Sequence, residues 1–149
     1  IAICNLPIND SALEVRKCMD VHDIFVCGEK YKNKLDVTLS LKEITNFPLI
    51  FLEPKSNSRQ YVERYMSSKG IKLNPEIELG SHELLLEFAK INLGIACVVQ
   101  EFSQDYIEEG LLYKLSINEK IPKRSIGYCF LKSVSLSPAS TRFLEILNN

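Results

Sequence analysis

Between Pro48 and Val99 the chain runs twice through one plan, a strand, a polar loop and a helix, and that repetition restricts it to an α/β fold. Leu49-Ile50-Phe51-Leu52 is a short apolar run stopped by Glu53-Pro54-Lys55-Ser56-Asn57-Ser58, and a helical pattern follows directly. Glu76 to Leu79 starts the plan again and stops at Gly80-Ser81. The second helix is expected to run to Leu93, with Gly94 ending it before a third strand, Ile95 to Val99. In open parallel sheets ligands collect at the carboxyl ends of strands, where helix N-termini present unpaired N–H groups. The two loops are therefore the first candidates for a binding site, and their polar residues are mostly small and uncharged.

The rest of the chain fits around this centre. Ile1 to Cys4 has buried-strand character, and a segment around Glu14 to Met19 leads into the strand Ile24 to Cys27. Ser40 with Glu43 three residues later spells a capping box. The helix after Ser58, which that serine is expected to cap, carries Tyr61, Val62, Tyr65 and Met66 on one face and closes at Gly70. Its partner after Ser81 shows Leu84, Leu85, Phe88, Ala89 and Ile91, a wide apolar face suited to a sheet. A shorter helix is expected from Ser103 to Glu109, stopping at Gly110, followed by the run Leu111 to Ile117 and the strand Ile126 to Leu131. Ser137-Pro138 opens a last helix with Phe143, Leu144 and Leu147.

Composition excludes several functions. With 149 residues, 46% of them apolar, the chain suits one domain or two small lobes. The net charge is -1 and the basic residues are scattered, so nothing resembles a nucleic-acid footprint. No apolar stretch approaches the roughly 20 residues of a membrane span. Five cysteines, Cys4, Cys18, Cys27, Cys97 and Cys129, lie mostly inside apolar runs, which fits reduced thiols in a cytoplasmic protein. There is no Cys-x-x-Cys pair, and His22 and His82 are far apart, so neither a metal nor another cofactor is expected. No Gly-x-Ser-x-Gly elbow or P-loop is present, and Glu108-Glu109 reads as a solvated helix face. No catalytic residue is assigned, and an enzyme is not expected.

The order Phe47-Pro48-Leu49-Ile50-Phe51-Leu52-Glu53-Pro54, then Ser56-Asn57-Ser58-Arg59, Glu76-Ile77-Glu78-Leu79 before Ser81, and Leu93-Gly94-Ile95-Ala96 resembles the effector-binding domain of LysR-type transcriptional regulators. The resemblance extends through Ile1-Ala2-Ile3, Ile24 to Gly28 and Leu136-Ser137-Pro138. It implies the type 2 periplasmic-binding-protein-like fold, two α/β lobes joined by two crossover strands with a small-molecule effector held between them. Lobe one is expected at about 1–23 and 117–149, and lobe two at about 24–116. Because the chain opens without Met on what reads as a strand, lobe one is expected to be incomplete and the DNA-binding helix-turn-helix to lie outside this sequence. The family also implies a homodimer through this domain, tetramers at full length, and DNA contact only through the helix-turn-helix.

The resemblance carries a short list of effector-binding candidates. Asn5 matches a cleft position that hydrogen-bonds the effector; equally, it could stabilise the turn before Pro7. Ser56, Asn57 and Ser58 match the loop that meets the effector's polar groups, and their hydroxyls, amide and N–H groups suit an anion. Gln100 stands where the family more often has Pro, a departure at a position that bears on effector chemistry. Ser81 is expected to cap its helix, His82 to sit exposed in the first turn, and Arg59 to lie on the helix surface. Aromatic acids, amino acids, sugar acids and inorganic anions all fit these donors. Two other readings stay open: a fragment of a solute-binding protein for small anions, and a dimerisation module with a vestigial cleft. For the homodimer the Tyr61-Tyr65 surface is one candidate contact, with core packing the other explanation of those residues.

Overall fold

The computed structural model describes residues 1–33 and 36–147; the small parts of the expected lobes at 34–35 and 148–149 lie outside the described residues. The chain divides into two compact units, one from Ile1–Val21 with Lys123–Asn149 and the other from His22–Pro122.

The first unit is built on a three-stranded antiparallel sheet of β1 (Ala2–Leu6), β2 (Leu13–Val21) and β8 (Arg124–Leu131), in the order β1-β8-β2. The second strand is longer than its sequence pattern suggests. Its middle, Arg16 to Met19, is exposed, so alternation there is masked by charged side chains, and a bulge between Lys17 and Met19 shifts the register. Tyr128 on the central strand is fully buried. Asp20 ties the sheet's end together, accepting from Lys123 Nζ at 2.7 Å and Ser125 Oγ at 2.6 Å. The final helix, α6 (Pro138–Leu147), starts as expected, with Ser137 Oγ accepting from the Ser140 N–H, but Phe143 on it is exposed.

The second unit holds a five-stranded mixed sheet in the order β5-β4-β6-β3-β7, from β3 (Asp23–Cys27), β4 (Leu49–Leu52), β5 (Ile77–Leu79), β6 (Ile95–Val99) and β7 (Tyr113–Lys114). The strands β5, β4 and β6 are parallel, whereas β3 runs antiparallel to β6 and β7. Both faces of this sheet are covered, which is why its strands read as unbroken apolar runs. Alternation divides them: Phe25, Cys27, Leu49, Phe51, Ile95 and Cys97 join a core with α2 (Leu41–Ile44) and α3 (Asn57–Ser68). Val26, Ile50, Ala96 and Val98 join a second core with Leu85, Leu86 and Ala89 of α4 (His82–Lys90). Val62 and Met66, one turn apart on α3, are fully buried, each worth about 1.5–3 kcal/mol by removal from water.

The helix ends follow the backbone chemistry, with two corrections. The capping box at Ser40 and Glu43 forms as read. Gly70, at φ 73°, closes α3 with its N–H on the Ser67 carbonyl and that of Ile71 on Met66. In α4 the left-handed residue is Asn92 (φ 65°), not Gly94; the Asn92 and Leu93 N–H groups reach back to Ala89 and Phe88. Gly94 is required instead by close approach, because a Cβ there would lie 2.4 Å from the Pro48 oxygen. The N-cap of α3 is Ser56, so Ser58 sits inside the first turn. Within the run Leu111 to Ile117, two residues pair as β7 and Ile117 makes an isolated bridge with Leu39.

Candidate effector site

The carboxyl ends of β4 and β6 lie side by side, and two helices begin beside them. After β4 the chain turns through residues 53–56, pinned by the Glu53 N–H on the Leu79 carbonyl at 2.9 Å and the Ser56 N–H on the Glu53 carbonyl at 2.9 Å. Ser56 then opens α3, and Ser81, after β5, opens α4. Both serines occupy the N-cap with extended backbone, yet neither side chain makes a capping hydrogen bond. Their hydroxyls are not committed to the helix termini, where free N–H groups and the helix dipole favour negative charge.

Beneath this rim lies a knot of polar side chains that local sequence patterns do not reveal. Asp23, at the start of β3, and Arg59, in the first turn of α3, are 5% and 4% exposed. Together with Ser58 and His82 they line a void of about 10 Å³, room for about one water molecule. Arg59 is not the surface arginine its helical position suggests. Its guanidinium lies over the Phe51 ring, 5.1 Å from the centroid, and Nη1 donates to the Leu52 carbonyl and to Glu78 Oε1, both at 3.3 Å. Its Nε, 3.4 Å from Glu63 Oε2, makes no hydrogen bond.

His82 also departs from expectation. Rather than standing exposed, it is half-buried, with its ring edge-on to Phe102 and its Nε2 accepting the Val99 N–H at 3.0 Å. Burial lowers its pKa, opposed by the charge of Asp23. An acceptor Nε2 requires the proton on Nδ1, so the ring is neutral and joins α4 to the end of β6. His22 pairs with Glu101: its Nδ1 is 2.6 Å from Glu101 Oε1, and its N–H donates to Glu101 Oε2 at 2.9 Å. Partial burial works against ionisation of Glu101, but these bonds outweigh it and keep its carboxyl below the usual range.

The candidate residues fall in three places. Ser56, Asn57 and Ser58 are consecutive at the start of α3, with Asn57 exposed and the serines half-buried. Gln100 begins the 3-10 turn after β6, its Oε1 accepting from Lys114 Nζ at 2.6 Å. It lines a cavity of about 440 Å³ rather than the small void, and Asp23 lines both. Asn5 belongs to the first unit and its Oδ1 accepts from Arg124 Nη1 at 2.7 Å, an alternative to both the effector and the turn readings of that oxygen. Sequence reasoning missed Asp23 and Lys114. A carboxylate heading the apolar run Ile24 to Cys27 was a signal for the first; the second is brought in by tertiary structure alone. Tyr61 and Tyr65, weighed as a contact surface, spend their hydroxyls inside the unit, on the Pro122 carbonyl at 3.1 Å and the Lys120 carbonyl at 3.0 Å.

Comparison with known proteins agrees on one family. Residues 1–149 match the LysR substrate binding domain. The HTH-type transcriptional activator CmpR of Synechocystis sp. is 26% identical over 143 residues, covering 95% of this chain and 46% of that protein. The uncharacterized HTH-type transcriptional regulator YeiE of Escherichia coli K12 is 25% identical over 107 residues, 72% of this chain and 36% of its own. The chain thus spans about half, or less, of the length of the curated relatives it matches. Among solved structures, the Synechocystis PCC6803 CcmR regulatory domain in complex with 2-PG superimposes with a TM-score of 0.81 at 20% identity, covering 97% of this chain and 70% of that one. The effector binding domain of QuiR in complex with shikimate gives 0.79 at 20% identity, over 97% and 68%. These likenesses establish the type 2 periplasmic-binding-protein-like fold of LysR regulatory domains. Matched along its whole length and sharing that fold, the chain belongs to the LysR substrate-binding domain family.

Proposed function

We propose that this chain is the ligand-sensing regulatory domain of a LysR-type transcriptional regulator and that its effector is a small anion. The observation that carries the reading is the pair of helix N-termini beside β4 and β6, each headed by a serine whose hydroxyl makes no cap bond. Ser56, Asn57 and Ser58 then supply hydroxyl, amide and backbone donors to an acid group, and Gln100 an amide. In the first unit the Asn5 oxygen is taken by Arg124, so its NH2 is the group left for an effector. The comparison proteins CcmR and QuiR were solved with 2-PG and shikimate, both small acids, which supports an anionic ligand here.

In the whole regulator, effector binding shifts an equilibrium between conformations or subunit arrangements, and DNA contact falls to a helix-turn-helix like those of the relatives. The domain acts as a homodimer in the cytoplasm and performs no chemistry on its ligand. The relatives being regulators favours this over a solute-binding protein. The test is a thermal-shift screen of small carboxylates and phosphates, beginning with 2-PG and shikimate, against wild type and the Ser56→Ala and Ser58→Ala variants. Loss of a hydrogen bond to a charged group, about 1.5–3 kcal/mol, weakens affinity for the responding anion about tenfold or more. Equal affinity in both variants and wild type refutes the site.

A further inference from the structure

We propose that Cys4 and Cys129, on neighbouring strands of the first unit, form a two-thiolate site for copper(I), a soft monovalent metal ion. This goes beyond the effector reading and does not depend on it. In the β1–β8 register Cys4 faces Gly127 and Cys129 faces Ala2, so the two cysteines are diagonal neighbours on one face of the sheet. Their thiols are in hydrogen-bonding contact, and Cys4 Sγ also donates to the Gly127 carbonyl at 3.6 Å. Cys129 is buried and Cys4 half-buried, so an ion reaches the pair past Cys4.

Spacing and ligand number decide what the pair can hold. Diagonal positions of an antiparallel pair lie about 7–8 Å apart at Cα, beyond the roughly 4.4–6.8 Å that a disulfide spans. The thiols meet but do not bond directly without backbone movement, whereas an ion between two sulfurs takes up the difference. Among the described residues no group of three or more His, Cys, Asp or Glu side chains is placed to hold a metal, which leaves zinc short of its four ligands. Copper(I) prefers soft sulfur and is satisfied by two such ligands in a line. Cys18, unpaired on the bulge of β2, is exposed and stays outside the pair. Burial first, and then the Cys129 thiol, raise the Cys4 pKa, so the pair is protonated and weakly reactive until an ion arrives. Binding breaks two S–H bonds and forms two metal–sulfur bonds: one cation enters, two protons leave, and no electron is transferred. The bound ion cross-links the edge strand β1 to β8.

The test titrates silver(I), a redox-inert stand-in for copper(I), into the intact chain in weakly buffered, chloride-free solution, with Cys18→Ser as the background to remove the exposed thiol. One ion bound per chain is expected, with two protons released, a higher melting temperature, and Cys4 and Cys129 protected from alkylation by iodoacetamide. Copper(I) delivered without oxygen from its bicinchoninate complex is taken up in the same ratio, and zinc(II) leaves the melting temperature unchanged. Cys4→Ser and Cys129→Ser each abolish the uptake; Cys4→Ser, at a half-buried position and checked by circular dichroism, decides the question if Cys129→Ser fails to fold. Silver uptake that persists in folded Cys4→Ser overturns the proposal. So do release of fewer than two protons per ion, alkylation of Cys4 and Cys129 that silver does not slow, or a zinc(II) response equal to that of silver.

Discussion

Replacing Arg59 tests whether the buried polar knot is a structural element of the second unit. The guanidinium over the Phe51 ring, 5.1 Å from its centroid, contributes about 1–2 kcal/mol at a desolvated site. Truncation also leaves the Leu52 carbonyl without its donor, about 1 kcal/mol. Glu63 and Glu78 contribute less, since their side chains are 40% and 42% exposed and the contacts are 3.4 and 3.3 Å long; solvent screening reduces them to about 0.5 kcal/mol together. Lost packing of the aliphatic stem adds roughly 1 kcal/mol. Arg59→Ala is therefore expected to cost about 4 kcal/mol and Arg59→Met, which keeps the stem, about 3 kcal/mol. Urea denaturation followed by circular dichroism measures this as a lower midpoint at unchanged slope. A loss below about 1 kcal/mol in the alanine variant would mean that water, not Phe51 and Leu52, solvates the guanidinium, and the reasoning would fail.

Three further perturbations address other features. Because burial depresses the pKa of His82, the folded state binds fewer protons than the unfolded one as pH falls through the ordinary histidine value near 6.5; stability is full above that pH and declines below it, and His82→Gln flattens the decline in melting temperature between pH 7.5 and 5.5. Gly94→Ala drives a Cβ into the Pro48 carbonyl, where the β4–β6 ladder begins, and is expected to lose about 2 kcal/mol by the same urea assay. A thiol reagent distinguishes the cysteines: exposed Cys18 reacts promptly, whereas Cys27, fully buried and pushed up to about 11, reacts on the order of a hundredfold more slowly or only on unfolding. Equal labelling rates would contradict that burial.

What the sequence showed and what it hid divide along physical lines. The β4 and β6 runs, the apolar face of α3 and the Gly70 stop were legible because each is dictated by neighbours within one or two turns of chain, whereas on α4 Leu84 and Ile91, read as part of the apolar face, are exposed and Leu86 is buried instead. The exact cap of α3 was not, since Ser56, Asn57 and Ser58 are all competent caps and only the turn fixed by Glu53 selects Ser56. Gly94 was visible as a glycine but not for its reason, an approach to Pro48 made by the neighbouring strand. The burial of Arg59 and Asp23 depends on two helices and two strands converging, which no local pattern encodes. The serine and asparagine candidates at the start of α3 rest on family likeness, while Lys114 reaches Gln100 across fourteen residues of separation and came from the fold.

The chain leaves the first unit at Val21 and returns at Lys123, and Val21 on β2 is the paired partner of Arg124 on β8. For assembly, this makes the second unit a long insert between two strands that must meet. Closing so large a loop from an unfolded chain costs on the order of 4 kcal/mol in entropy, before the first β2–β8 pair gives anything back. A second unit that has already folded brings its two ends together, with His22 and Ile121 lining one cavity, and removes most of that cost. This connectivity favours forming the insert before the β2–β8 pairing, so the small sheet is expected to be the part most readily lost when the insert is weakened, an order that hydrogen exchange at its strand amides would reveal.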